Sequence, residues 1–400
     1  MSTTHTVAGA HPNKLTGAAV LSISLMLCSA PTINGALPFM QQAMGTTTAQ
    51  NELLSTLPSF AVIICIMASS VVERALGMKR TICLGLLLAG CGGVIPLFTA
   101  SYPLIFASRL ALGAGLGLYN SLAVSLINAL FEGDERATLL GFRNSTESIG
   151  QAALTLIAGL LLSFGWHASF AIYFLAFPIA ILFWKLVPEV GASAAAERDA
   201  GDAATTADDV RERLNPFVWA LAAFAVVQVL NSLCMTVRFP SIATQLMGEG
   251  FNASFLLSLM PLLGIFAGFV FGFLNRRMGI KVLWLGLAIY IVSDLLVGFS
   301  GNSFPLALLG LMLSGLPGSW CFPYIFNTLG SITGPRTGTL ATSLIFIGCN
   351  VGNFAAPLYM QGVQTLLGTD ALTAPFPILG AVFALILIGT VASSLRRKAA

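Results

Sequence analysis

The sequence predicts an all-α membrane protein with about twelve transmembrane helices, arranged as two similar halves of six helices. Of its 400 residues, 56% are hydrophobic and 9% are charged. Soluble domains carry roughly 25% charged residues, and so few charges do not cover a surface that faces water. Apolar stretches of about 20 residues, the length that crosses a bilayer, recur from Leu15 to the last residues. The chain is therefore predicted to lie in a lipid bilayer.

Hydropathy and turn residues place the predicted spans. They cover 15–38, 51–72, 81–99, 103–130, 138–163, 167–187, 216–239, 253–274, 281–299, 303–329, 338–362 and 373–395. The stretch 189–215 is polar, rich in Ala, Asp, Glu, Arg and Thr, and without apolar periodicity, so it is predicted to be a surface linker. An N-terminal half at 1–188 and a C-terminal half at 216–400 flank it.

The basic residues predict the orientation. Apart from Arg109, Arg143 and Arg238, which lie in or at the ends of spans, the Lys and Arg residues fall in loops on one side of the predicted membrane. Since cytoplasmic loops are enriched in Lys and Arg, both termini and the linker are expected in the cytoplasm, with the chain in the plasma (inner) membrane. The sequence shows no phosphate loop, metal-ligand spacing or nucleophile–base set, so we expect no cofactor, metal, nucleic-acid partner or enzymatic activity.

The halves repeat at an offset of about 200 positions. The segment 73–79 aligns with 275–281, and Arg, Gly and Lys fall in register. Further matches pair glycines and prolines in chain order: Pro38 with Pro240, Gly113 with Gly315, and Gly150 with Gly352. Parallel repeats of this kind occur in transporters, whose substrate site lies near the midplane between them.

Two motifs resemble those of the major facilitator superfamily. Its signature loop between the second and third helices reads Gly-x-x-x-Asp-Arg-x-Gly-Arg-Lys/Arg. This chain has Glu73, Arg74, Gly77, Lys79 and Arg80 there, with one extra residue between the acid and the glycine, and the resemblance implies that they form a gating loop. The family pattern Arg-x-x-x-Gly-x-Gly is matched in the fourth span by Arg109, Gly113 and Gly115. In the fifth span the antiporter pattern Gly-Pro-x-x-Gly-Gly keeps only its last glycine, Gly159.

The resemblance implies a monomeric secondary active transporter of a small organic solute that rocks between inward-open and outward-open states, with a proton as coupling ion. Drug or metabolite efflux by proton antiport is an alternative, and a transporter-like receptor that binds solute without moving it is an alternative of another class. The arginines at 109, 143 and 238 slightly favour a solute with anionic character.

Ionisable groups inside a bilayer are functional candidates because their insertion is unfavourable. On the fifth span, Arg143, Asn144, Glu147 and Gln151 fall on one helical face at spacings of three and four. We predict that Arg143, Asn144 and Gln151 of this stripe bind solute, that Glu147 carries the proton, and that Arg109 is its leading partner in coupling. The alternative is a structural ion pair between Arg143 and Glu147 near the cytoplasmic end.

Three other ionisable groups have structural interpretations. Arg238, near the outer end of the seventh span, is expected to extend to water, and Glu52, at the outer start of the second span, to be solvated. Asp294 lies on the peripheral ninth span, and a hydrogen bond to a neighbour is expected there rather than a proton relay.

Neutral polar groups on helices that the resemblance places around the central cavity are candidates for solute binding or for hydrogen bonds between helices. They are Asn34, Asn120, Gln228, Asn231, Tyr324, Asn327, Asn350 and Asn353. Asn353 matches Gln151 in the repeat, so both halves are predicted to present an amide at similar depth.

Overall fold

The computed structural model describes residues 14–131, 133–189, 215–333 and 337–399, and every regular element in these ranges is helical. Among these described residues, eleven helices are long and apolar enough to cross a membrane, or twelve when a bent pair at the N-terminus is counted as one span. The predicted fold class is confirmed. The linker predicted at 189–215 lies outside the described residues except at its two ends.

We number the spans α1–α12. The first six are α1 (Lys14–Leu27 and Leu37–Met44, joined through a 3₁₀ segment at Ala30–Ala36), α2 (Thr48–Leu76), α3 (Met78–Val94), α4 (Tyr102–Leu130), α5 (Gly133–Leu161) and α6 (3₁₀ turns at Trp166–Leu175, then Ala176–Leu186). The last six are α7 (Pro216–Met247), α8 (Ser254–Met278), α9 (Lys281–Gly298), α10 (Phe304–Ser314 and Gly318–Ile332), α11 (Thr337–Leu367) and α12 (Pro375–Ala399).

Two spans run further than the sequence predicts. In both, the predicted span ends at or next to a proline, and the observed helix continues past that proline. The first span bends by 44° at a break after Leu27. Pro38 therefore falls in the first turn of a new segment, where its missing N–H is not needed, and the helix continues to Met44. In α7 the helix passes through Pro240 to Met247, and the Thr244 hydroxyl donates to the Pro240 carbonyl at 2.9 Å.

The segment 73–80 is predicted to be a loop. In the structure it contains the end of α2, a one-residue turn at Gly77 and the start of α3. α2 ends at Leu76, α3 begins at Met78, and Gly77 between them has a φ of 84° and donates its N–H to the Glu73 carbonyl at 2.7 Å. A related turn of two residues, Gly279 and Ile280, joins α8 to α9, and there Gly279 also has a positive φ, 53°, and donates to the Asn275 carbonyl at 2.9 Å. The aligned glycines thus both end a helix with a positive φ, one in each half.

We expect Gly77→Ala to lower the thermal stability of the detergent-solubilised protein. A φ of 84° with a ψ of 156° is a backbone region reserved for glycine, and a Cβ there costs about 1–3 kcal/mol. Gly272→Ala is the matched control, because this helical glycine has a helical φ and open space around it. Equal melting temperatures for the two variants would contradict the argument.

Close helix crossings also repeat between the halves. A Cβ on Gly150 would lie 3.0 Å from the Leu25 backbone, where α5 crosses α1, and a Cβ on Gly352 would lie 2.5 Å from the Val226 carbonyl oxygen, where α11 crosses α7. Small residues at such crossings let helix backbones approach each other. The pair Gly150 and Gly352, aligned by sequence, therefore marks equivalent helix contacts.

Candidate functional site

A cavity of about 650 Å³ lies between α5 of the first six helices and α7, α8 and α10 of the last six. Its polar lining consists of hydroxyls and amides from three of these helices. They are Asn144, Ser145, Ser148, Gln151, Ser232, Thr236, Ser314 and Ser319. Apolar side chains of α8 and α10, among them Met260, Phe269 and Phe322, complete the wall. The described residues that line the cavity include no charged side chain.

The cavity is closed towards the face of the bundle where α1 meets α2 and α7 meets α8, which we call the sealed face. Asn252 donates to the Gly159 carbonyl at 2.7 Å, joining the end of α5 to the start of α8. Ser254 packs against glycines 35 and 159, and a Cβ on either glycine would overlap it. Near the surface, Gln42 donates to Glu249 at 2.9 Å. The cavity therefore faces the opposite, basic face, where the loops carry Lys and Arg.

A buried ion pair joins the two sets of helices near the sealed face. Arg238 on α7 is 1% exposed and Glu52 on α2 is 2% exposed. The guanidinium donates from Nε and, at 2.9 Å, from Nη2 to the two carboxylate oxygens of Glu52. A third bond reaches the Leu372 carbonyl at 3.4 Å. The expectations that Glu52 is solvated and that Arg238 extends to water are therefore wrong, because each group neutralises the other inside the protein.

The predicted polar residues of α5 lie in two different environments, the cavity and the contact with α4. Asn144 and Gln151 line the cavity. Glu147 pairs with Arg143 at 2.8 Å, and Arg143 also donates to Asn120 on α4 at 3.2 Å. The Arg143 and Glu147 side chains are 14% and 21% exposed. The ion pair thus lies beside the cavity wall, between α5 and α4.

Arg109 is enclosed within the first six helices, with 0% exposure. Its guanidinium donates to the Tyr173 hydroxyl at 3.2 Å and lies 5.0 Å and 5.2 Å from the ring centres of Phe170 and Tyr173. Tyr173 in turn donates to the Ser29 carbonyl at 3.0 Å, at the break in α1. Arg109, the predicted partner of Glu147 in coupling, thus has these contacts with α6.

Three predicted cavity residues have different positions in the structure. Asn34 is 1% exposed and accepts a hydrogen bond from Ser55, while Gln228 and Asn231 are 1% and 0% exposed in the interior of the last six helices. The helical period explains the difference for α7, since Ser232 and Thr236, one turn apart, are the side chains that face the cavity.

The other candidates are more accessible but lie outside the lining of this cavity. Tyr324 and Asn353 are half-buried, Asn327 is exposed, and Asn350 donates to the Phe346 carbonyl of its own helix at 3.0 Å. The arginines do not line it either, so the expected preference for an anionic solute loses its basis. Sequence reasoning missed the hydroxyls because serine and threonine are common in membrane helices. The sequence pattern that indicates the cavity wall is the group of small residues on α10, Ser314, Gly315, Gly318 and Ser319, all of which line the cavity.

The residues of the α2–α3 turn lie at the basic face. Lys79 is 4.9 Å from the ring centre of Trp184. Arg80 pairs with Glu189 at 3.6 Å, with both side chains more than 60% exposed, so this pair adds little stability. Glu73 and Arg74 belong to the last turn of α2. The turn thus holds α2 and α3 together and contacts α6.

A bundle of eleven to twelve membrane helices around an uncharged cavity, lined by both polar and apolar side chains and facing one side, defines a class, the membrane transporters of small solutes. A sequence profile of the Major Facilitator Superfamily matches residues 18–292. The chain belongs to this superfamily, as its resemblance to the family motifs implied.

Curated relatives match over shorter segments. The chain is 28% identical over 141 residues to the bacillibactin exporter of Bacillus subtilis (strain 168), which is 34% of this chain and 35% of the relative. It is 32% identical over 159 residues to the 2-nitroimidazole transporter of Escherichia coli (strain K12), 38% of this chain and 39% of the relative. The match spans little more than a third of either relative.

Solved structures match over almost the whole chain. The nucleoside transporter NupG has a TM-score of 0.75 at 12% identity, covering 95% of this chain and 99% of that one. The D-xylose-proton symporter has a TM-score of 0.72 at 16% identity, covering 93% and 96%. A bacterial homologue of the lysosomal transporter Spinster, inward-facing and occupied, has a TM-score of 0.69 at 15% identity, covering 96% and 97%. At these identities the likeness establishes the fold.

Proposed function

We propose that the protein is a secondary active transporter that moves a small, neutral organic solute, coupled to protons, by rocking its two six-helix halves about the central cavity. The observation that carries the proposal is the cavity itself. Its hydroxyls and amides suit a solute with several hydrogen-bonding groups, and its apolar wall suits a ring or short chain. A charged solute would find no opposite charge among its described lining residues.

Rocking requires that the contacts at the sealed face separate while the basic face closes. The hydrogen bond from Asn252 to Gly159 and the ion pair of Glu52 with Arg238 would both break. Breaking the ion pair removes the neutralisation of two charges that are buried in the observed state, so this step needs compensation. We infer that solute or proton binding supplies it.

The proton is assigned to Glu147. This carboxylate lies beside the cavity and is held by Arg143, which also bonds to Asn120. Protonation would release Arg143 from its carboxylate partner, and the hydrogen bond between α4 and α5 would remain. The charge of α5 next to the solute thus changes with each proton, and this links ion and solute in one cycle.

The direct test is the lumenal pH of proteoliposomes when a neutral solute is added outside, with 2-nitroimidazole, D-xylose and a nucleoside as first probes. We expect one probe to change lumenal pH, and Glu147→Gln to abolish this change while solute binding persists, because the amide keeps the shape of the side chain but carries no proton. Glu135→Gln, at an exposed position of the same helix, should behave as wild type.

The sign of the pH change separates the alternatives. Acidification means symport and alkalinisation means antiport, the mode expected for drug or metabolite efflux. Solute binding without any solute flux would identify a receptor and contradict the proposal, and flux without proton movement would remove the assignment of the proton. With both termini in the cytoplasm of a plasma (inner) membrane, as the basic loops predict, the observed cavity faces the cytoplasm.

A further inference from the structure

A carboxylate without a cationic partner is buried inside the last six helices. Asp294 on α9 is 0% exposed, and neither of its oxygens has a hydrogen-bond partner of normal geometry in the part of the chain that the structure describes. A bare carboxylate in the membrane interior is strongly unfavourable. The group therefore requires either a bound proton or a bound cation.

Neutral polar groups of α7 and α9 surround this carboxylate. Asn231 faces Asp294, and Gln228, one turn earlier on α7, faces the hydroxyl of Tyr290, one turn earlier on α9. Both amides are at least 99% buried, and their oxygens and nitrogens have no partner of normal geometry among the described residues. The four side chains thus lie in one buried compartment between α7 and α9, as two neighbouring pairs that are one helical turn apart.

The compartment lies directly behind the cavity wall. Gly318 lines the cavity at the break in α10, and a Cβ built on it would lie 3.7 Å from the Tyr290 hydroxyl and 3.9 Å from Gln228 Nε2. α10 is non-α-helical between Ser314 and Gly318. A glycine at a helix break thus separates the cavity from Tyr290 and Gln228.

The other titratable groups near the compartment do not neutralise Asp294. Arg238 on α7 has its guanidinium paired with Glu52 of α2. Cys234 of α7 and Tyr359 of α11 are neutral in their ordinary states, and Tyr359 donates to the Pro375 carbonyl at 2.8 Å. α12 contributes backbone and apolar atoms, including Gly380 beside the Asp294 Cβ and Phe383 stacked on Tyr290 at 4.5 Å.

We propose that Asp294, Asn231, Gln228 and Tyr290 form a binding site for a monovalent cation, either H⁺ or Na⁺, separate from Glu147. One carboxylate neutralises one positive charge, and the amide and hydroxyl oxygens are the hard ligands that an alkali cation takes from proteins. The described residues offer no cluster of three His, Cys, Asp or Glu side chains that would suit a divalent metal. The site would sense the solute through the break at Gly318.

The first experiment measures binding in detergent and needs no transport. NaCl is added to purified, weakly buffered protein, and proton release is followed with a pH dye, with choline chloride as the ionic-strength control. If Na⁺ replaces the proton of Asp294, one H⁺ leaves for each Na⁺ bound, and Asp294→Asn abolishes the release. Asp370→Asn, at an exposed loop position, is the matched control and should release protons as wild type does.

The second arm separates a proton site from a sodium site. If the site takes H⁺ alone, NaCl releases nothing. The affinity for the solute identified by the lumenal-pH test then depends on pH in wild type and not in Asp294→Asn. Asn231→Ala, which keeps the carboxylate, should weaken the cation affinity about tenfold through loss of one ligand, and it preserves the test if Asp294→Asn does not fold.

The proposal would be overturned if folded Asp294→Asn matched wild type both in proton release and in the pH dependence of solute affinity. It would also be overturned if Asn231→Ala bound the cation as tightly as wild type. Because proton release is measured without solute, the sodium arm is independent of the lumenal-pH test of Glu147. The proton arm uses the solute found by that test, and it can fail while the test of Glu147 succeeds. The inference rests on the proposed function only in the claim that the cation is linked to the solute.

Discussion

Arg238→Gln is expected to lower thermal stability sharply and to abolish transport, and Glu52→Gln to do the same. Each substitution leaves the other member of the pair charged and buried, with 1% or 2% exposure. Removing one partner of a buried ion pair is destabilising by about 3–5 kcal/mol, largely because the remaining charge is uncompensated. The measurements are the melting temperature in detergent and initial transport rates in proteoliposomes.

The double variant of Glu52→Gln with Arg238→Gln separates charge burial from a role in gating. It contains no unpaired charge, so we expect most of the melting temperature to return. If the ion pair also holds the sealed face closed, the double variant should populate the alternative state more than wild type. Ser254→Cys, in a background without native cysteines, reports this state, because Ser254 is packed between glycines of α1 and α5.

Labelling of that cysteine by a membrane-impermeant maleimide added at the sealed face should increase in the double variant. The same labelling rate as in the protein with both native charges would show that the pair stabilises the fold without controlling its conformational equilibrium. A double variant that is as unstable as either single variant would contradict the argument from uncompensated charge.

The sequence predicted the helices well because membrane insertion is a local property of each apolar stretch. Ten of the predicted spans end within five residues of the observed helices, and the exceptions are α1, which continues to Met44, and α7, which continues through Pro240 to Met247. The repeat was also readable, since the glycines at 77 and 279 meet the same backbone requirement at the same place in each half.

The partners of the ionisable groups were not predictable in the same way. Arg143 and Glu147 are four apart on one helix, so their pairing follows from helix geometry. Glu52 and Arg238 are 186 positions apart, and their meeting depends on how the two halves dock. Gln228 and Asn231 belong to α7, which lines the cavity. Successive side chains point about 100° apart around a helix, so the orientation of α7 about its axis decides which of them face the cavity and which face the interior. Hydropathy does not predict this orientation when both faces of the helix are apolar.

Arg109→Lys is expected to lose transport by more than tenfold, although it keeps the positive charge. The guanidinium lies over two rings at 5.0 Å and 5.2 Å and also donates to Tyr173 at 3.2 Å. An ammonium lacks the planar shape and the fixed fork that make these contacts together. Arg109→Ala should lose transport completely and should also melt at a lower temperature, since removal of a fully buried large side chain leaves a void.

The reason for a large effect on transport is the connection from Arg109 to the first helix. Tyr173 bonds both to Arg109 and to the Ser29 carbonyl at the break in α1, and the 3₁₀ segment after this break contacts α7 of the other half. Arg109 therefore supports the bend of α1 at which the two halves meet. Tyr173→Phe removes the hydroxyl bridge but keeps both rings, so we expect a loss of about 1 kcal/mol in stability and a slower transport rate. If Arg109→Lys transports as wild type while Tyr173→Phe does not, the hydroxyl alone supports the break and the planar fork of the arginine has no role.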